Sequence, residues 1–168
     1  MSEANLTLAF DIYGTLVDPH GMEAHLKPFF GSQAKKASEI WREKQIEYSF
    51  RRALMGRYLD FDACTRQALV YVSELLGLTL SAVDQQSLLA RYRSLPAFSD
   101  AASALAGLEA RGYNLVAFSN GTDSAVRNLL DQAGLLDRFR AVISVDDVKS
   151  FKPDPAVYAH LVRRVGCG

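Results

Sequence analysis

Leu6-Thr7-Leu8-Ala9-Phe10-Asp11-Ile12-Tyr13-Gly14-Thr15-Leu16 is the stretch on which the fold turns. Leu6 to Phe10 is apolar apart from one β-branched threonine, the composition of a buried parallel strand. The run ends in an acid, and Gly14 lets the chain turn at once. Asp11 therefore stands at the carboxyl end of a strand, where open α/β sheets hold their ligands. Thr15 offers a hydroxyl beside it. Taken alone, Asp11 could equally accept local backbone N–H groups and serve only the turn.

Working outward, Leu16 to Gly21 is a polar connector containing Pro19 and Gly21, and no strand pattern occurs between about Gln33 and Tyr92. Over Ala37–Leu54, the residues Ile40, Trp41, Ile46, Phe50 and Leu54 recur at three- and four-residue spacings. They predict a helix with an apolar face, closed by Gly56. Asp60 caps a second helix holding Leu69, Val70, Val72, Leu75 and Leu76, which Gly77 ends; Ser81 starts a third through Leu88 and Leu89. This region reads as a helical cap inserted after the first strand, and Pro96 marks the return. Ser99 or Asp100 caps a helix over Ala101–Arg111 with Leu105 and Leu108 inward. Tyr113–Phe118 and Ala141–Val145 are further strands, Ser124–Gln132 is a helix, and a last helix runs from Asp154 or Pro155 to near Val165. The order predicts an α/β fold with a parallel sheet. Its core would comprise residues 1–20 and 94–168, and its cap residues 21–93.

Three loops then leave strand ends on one rim, carrying Asp11, Ser119-Asn120 and Lys152. Ser119-Asn120-Gly121 is a strand-to-helix turn whose side chains could simply bond backbone. Lys152 alone could be a solvated lysine. Together they form a chemical set. A lysine beside a carboxylate favours the ionised form and aims it, as a nucleophile requires, while the hydroxyl and amide supply neutral donors for a substrate carboxylate.

The 168 residues suffice for one ordinary domain or a small core with a helical insert, and 49% hydrophobic with 23% charged residues is the balance of a soluble globular chain. Lys+Arg and Asp+Glu are both 19, so no nucleic-acid partner is indicated. Arg51, Arg52 and Arg57 read as a solvated helix face. Cys64 and Cys167 have no metal-ligand spacing and make no disulfide framework, which favours a reducing cytoplasm. Met1–Asn5 has no basic leader character, and no run is long enough for a membrane span.

Asp11-Ile12-Tyr13-Gly14-Thr15-Leu16 resembles the first motif of the haloacid dehalogenase superfamily, and the Ser119 and Lys152 loops follow in the order of its second and third motifs. The resemblance implies a Rossmann-like core with a helical cap and makes Asp11 a carboxylate nucleophile. Phosphatases of this superfamily usually carry an acid two places on, to protonate a leaving alkoxide. Tyr13 stands there, and a departing halide needs no proton. Ile40-Trp41-Arg42-Glu43-Lys44-Gln45-Ile46-Glu47-Tyr48 resembles a segment of the L-2-haloacid dehalogenases, with Leu54–Tyr58 and Phe61 extending the match. By that resemblance Arg42 holds the halide or substrate anion, Thr15 and Lys152 orient Asp11, and Ser119 acts with Asn120 on the carboxylate. Tyr13, Ile46 and Phe61 shape the pocket, and Tyr158 is a site tyrosine. Glu43, where several relatives have a neutral glutamine, would repel a carboxylate if it faced the site. The implied reaction converts short L-2-haloalkanoic acids to 2-hydroxy acids through an aspartyl ester, with no cofactor and no metal. Relatives dimerise, so a homodimer is expected.

The family pattern continues into a fourth core strand beside the first, ending in a fourth motif of further acids and an asparagine. The chain stops at Gly166-Cys167-Gly168, so a truncated form is expected, with β-strand Leu6–Phe10 exposed as an edge and hydrolysis of the ester impaired. Two other readings compete. One is a Mg²⁺-dependent phosphatase of the same fold; the other is a non-catalytic fragment that associates through its open sheet edge.

Overall fold

The computed structural model describes residues 6–166; the readings of Met1–Asn5 and Cys167 fall outside that range. Three parallel strands, β1 (Thr7–Phe10), β2 (Asn114–Ser119) and β3 (Ala141–Ser144), pair in the order β1-β2-β3. Phe10 lies opposite Ala117, and Ser119 opposite Ser144. Parallel neighbours require crossovers, so all three carboxyl ends open on the same rim. The α/β class and its parallel sheet are as expected.

β2 sits at the centre, with Leu115 through Ser119 buried. β1 has the composition of a buried strand but takes the exposed edge position that the sequence reading also anticipated. None of Thr7–Phe10 is fully buried, and Leu6 is 58% exposed. Among the described residues β1 has a strand on one side only. Its apolar composition reports transfer preference, whereas its burial depends on how many neighbours cover it.

Between β1 and β2 come five helices. α1 (Met22–Phe30) has no counterpart in the sequence reading, which opens the helical region at Gln33. Met22, Leu26 and Phe30 bury one stripe at four-residue spacing, but Pro28 inside the helix argues against one locally. α2 (Ala34–Leu54) packs against α1 and α3 (Phe61–Leu75), and α1 also meets α4 (Ala82–Tyr92). Asp60 Oδ1 accepts the Ala63 N–H at 2.7 Å and starts α3. Ser81 and Asp84 form a reciprocal capping box on α4.

The face that α2 buries shares only Trp41 with the predicted apolar one. Ala34, Ala37, Ser38, Trp41, Gln45 and Ser49 face inward, while Leu54 is 89% and Phe50 41% exposed. Small residues let neighbouring helices approach closely. The inward polar groups are tolerated where they find partners, as Ser49 does by donating to the Ile46 carbonyl at 2.7 Å.

The chain then enters α5 (Ala101–Ala110), with Leu105 buried and Leu108 packed against the core. Asp100 occupies its N-cap position without making a capping bond, because its φ of −92° and ψ of −13° are helical rather than extended. α6 (Asp123–Gln132) and α7 (Pro155–Val165) start at the caps Thr122 and Asp154. No helix in the described chain is long and apolar enough to cross a membrane.

The burial of α2 makes a sharp prediction. Ala37→Leu forces three additional carbons into a fully buried position and lowers stability by about 1–3 kcal/mol. Leu54→Ser stays within about 0.5 kcal/mol of wild type. Urea unfolding monitored by circular dichroism reads both, and the reverse ranking would restore the apolar-face assignment.

Candidate active site

The turn after β1 is built on Ile12, whose carbonyl accepts the N–H groups of Thr15, Leu16 and Val17. Gly14 takes a φ of +91° there, a conformation that side-chain-bearing residues rarely adopt. This turn leaves Asp11 at the strand end, half exposed and aimed along the rim. Lys152, 141 residues later, places Nζ 2.8 Å from Asp11 Oδ1. The same ammonium donates to the Phe118 carbonyl at 2.6 Å and lies 4.3 Å from the Phe118 ring centroid. Thr15 Oγ1 stands 3.5 Å from Asp11 Oδ2, at the outer limit of a hydrogen bond.

The second loop locks to the third. Asn120 Oδ1 accepts the Lys152 backbone N–H at 2.9 Å, which turns its NH₂ end into the available donor. Ser119 is fully buried, and its Oγ accepts the Gly121 N–H at 3.1 Å. The Ser144 hydroxyl donates to the Gly121 carbonyl at 2.6 Å. Gly121 is required for space: a Cβ there would sit 2.9 Å from Val126 Cγ2.

A cavity of about 390 Å³ opens over this rim. Eight of the ten predicted site residues line it: Asp11, Tyr13, Arg42, Ile46, Phe61, Asn120, Lys152 and Tyr158. Thr15, exposed, and Ser119, fully buried, are not part of the lining. Ala9, Phe50 and Phe118 complete the lining. Phe50 follows Ile46 by one helical turn, a spacing that could have found it, whereas nothing local marks Ala9 or Phe118. Tyr158 is 44% exposed, its ring edge-on to Phe118 at 5.7 Å, and so is not the helix core residue its position alone would suggest. Glu43 is exposed and lies outside the cavity lining.

Arg42 crosses from α2 to the Asp11 loop and donates through Nη2 to the Tyr13 carbonyl at 2.8 Å. The Tyr13 ring is buried between Phe61, at 5.6 Å, and Tyr92, at 5.9 Å. Burial first, then neighbouring Tyr92 and Asp62, raises its phenol well above the ordinary 10.0. Tyr13 therefore stays protonated and is a weak acid. Arg42 and Lys152 against the single carboxylate Asp11 leave one surplus positive charge on the lining, which suits an anionic ligand.

The helical layer is tied to the Lys152 loop by Tyr58, between α2 and α3. Its hydroxyl donates to Asp146 Oδ1 at 2.6 Å, and its ring packs 4.9 Å from Phe151, the residue before Lys152. Lys149 Nζ reaches the same Asp146 oxygen at 2.9 Å.

Residues 6–167 match the haloacid dehalogenase-like hydrolase family, and the chain belongs to that family. It is 38% identical over 151 residues to the (S)-2-haloacid dehalogenase of Pseudomonas sp. (strain YL), covering 90% of this chain and 65% of that protein. It is 36% identical over 159 residues to the (S)-2-haloacid dehalogenase of Pseudomonas putida, covering 95% and 70%. Among solved structures, the L-2-haloacid dehalogenase from Xanthobacter autotrophicus superposes with a TM-score of 0.90 at 38% identity, over 96% of this chain and 65% of that one. The same enzyme with chloropropionic acid covalently bound also gives 0.90, at 37% identity and the same coverage. The chain thus spans just under two thirds of the length of several of these relatives.

The Tyr58–Asp146 tie has a pH signature. The Tyr58 hydrogen bond, aided by Lys149, holds the Asp146 carboxyl below its usual 3.8. Its stabilising contribution is complete above 3.8 and is lost as pH falls through the lower folded value. Tyr58→Phe should therefore lower stability near neutrality and flatten the acid limb between those two values. Thermal melts across pH 2–7 (about the range that brackets carboxylates) test this, and parallel curves for the two proteins would exclude it.

Proposed function

We propose that this protein is a hydrolytic dehalogenase of short (S)-2-haloalkanoic acids, with residues 21–93 acting as a cap over a core of residues 1–20 and 94–168. The observation that carries the reading is the Asp11–Lys152 pair at 2.8 Å, set in a cavity that Arg42 also lines. The oxygen of Asp11 not held by Lys152 attacks C2 in line with the carbon–halogen bond. As the C–O bond forms, the halide leaves with the bonding electron pair, and configuration at C2 inverts. Arg42 receives the departing anion, a role for a charge already placed where charge develops. The Asn120 NH₂ group, held by its bond to Lys152, donates to the substrate carboxylate. Ile46, Phe61 and Tyr13 enclose the alkyl group, and Tyr158 borders the entrance.

Water then adds to the ester carbonyl, the acyl C–O bond breaks, and Asp11, the 2-hydroxy acid and one proton are released. Neither half-reaction calls for a cofactor. Covalently bound chloropropionic acid in the Xanthobacter relative supports an ester on the equivalent of this chemistry. Cys64 is buried, and burial raises its thiol to about 11, so it stays protonated and inert, in keeping with a reducing cytoplasmic setting.

Incubation with (S)-2-chloropropionate decides the matter, read by chloride release and by intact mass. The wild-type protein should liberate chloride or gain the mass of a carboxyethyl group, and Asp11→Asn should do neither. Silence in both channels, with Mg²⁺-dependent hydrolysis of a chromogenic phosphate ester instead, would replace this reading with a phosphatase.

A further inference from the structure

Beneath Arg42 lies a polar relay that the reaction scheme does not use. Gln45 is fully buried on the inward face of α2, one turn from Arg42. Its Oε1 accepts from Arg42 Nη1 at 2.7 Å and from the Tyr92 hydroxyl at 2.9 Å. Its Nε2 donates to Thr65 Oγ1 at 2.6 Å, and Thr65 donates onward to the Phe61 carbonyl at 2.8 Å.

The direction of every bond is fixed. Arg42 has only donors, so the amide must turn its oxygen toward the guanidinium. Thr65 spends its single proton on Phe61, so its oxygen must accept from the amide nitrogen. Burial raises the Tyr92 phenol, so it remains a donor. Helices α2, α3 and α4 each supply a member, and the relay ends on Phe61, which itself lines the cavity.

We propose that Gln45 is the positioning residue for Arg42: it presets the guanidinium over the cavity and, being neutral, leaves its positive charge for the departing halide. This rests on the dehalogenase reading. A buried acceptor next to an arginine is ordinarily a candidate for a carboxylate, which would bind more tightly. A carboxylate would also cancel the charge that a leaving anion needs. With Nη1 held by Gln45 and Nη2 by the Tyr13 carbonyl, the guanidinium is fixed from both domains of the rim, by two neutral oxygens.

The test compares wild type, Gln45→Glu, Gln45→Leu and Tyr92→Phe. The rate of the first chemical step is followed with 2-chloro- and 2-bromopropionate, in a single turnover. Chloride is the poorer leaving group and depends more on Arg42. Gln45→Glu, nearly isosteric, should therefore slow the chloro substrate by about 10- to 100-fold, the range for removing an outer partner of a site ligand, and the bromo substrate clearly less. Tyr92→Phe removes the other bond to Gln45; it should lower the melting temperature and keep the wild-type bromide-to-chloride ratio. Equal slowing of both substrates in Gln45→Glu would reduce Gln45 to a packing residue and overturn the proposal.

Arginine side-chain ¹H–¹⁵N spectra, with Arg42 assigned through Arg42→Lys, give a readout free of turnover. The Arg42 Nη1–H signals should be protected in wild type and lost in Gln45→Leu. Their persistence in that variant would break the link between the two residues. If instead the link holds but wild type neither releases halide nor forms an adduct, it is the dehalogenase reading that fails.

Discussion

The Lys152 ammonium is the constraint on which the site depends. Its side chain is largely withdrawn from water, and its proton donors must be met by the protein. It meets them with Asp11 after β1 and with the carbonyl of Phe118 in β2, while the ring of Phe118 closes a third side. Asn120 holds the backbone of the same residue. One lysine therefore joins the loops that follow all three strands. That is possible only because β2 lies between β1 and β3, with both registers parallel and all carboxyl ends on one rim. A strand reversed or slipped by one residue would turn Phe118 or Asp11 to the other face.

Much of this was legible locally. Asp11 announces itself because an apolar run stops on an acid and a glycine. Asp60, Ser81 and Asp154 announce helix starts because capping acts over two or three residues. Lys152 was legible only as the third term of a series, since no property of its neighbours distinguishes it from a solvated lysine. What escaped were features decided at long range. α1 escaped because Pro28 is a local objection that Met22, Leu26 and Phe30 overrule by burial.

α2 is the instructive failure. Its apolar residues predict one face, yet of these only Trp41 is fully buried, alongside alanine, serine and glutamine. The hydrophobic pattern measures transfer out of water residue by residue. Gln45 is buried because Thr65 and Tyr92, 20 and 47 residues away, complete its hydrogen bonds. The displaced apolar residues are not wasted. Ile46 and Phe50 come to line the cavity, partly exposed, rather than the protein's own core. A mismatch between apolar periodicity and burial thus marks the helix that serves the site.

Tyr13 draws these threads together. Two residues after Asp11, a carboxylic acid would stand ready to protonate a leaving group. The phenol here is buried, and burial pushes it away from acidity. The same burial wedges its ring against Phe61 of α3 and Tyr92 of α4, which fixes the peptide that follows Asp11. Its carbonyl is then in place to receive Arg42. A single residue thereby withdraws the proton donor and brings in the cation. For a leaving oxygen that exchange would be a loss, because an alkoxide needs a proton. For a leaving halide, stable as an anion and in need only of a positive partner, it is the arrangement that electrostatics favours.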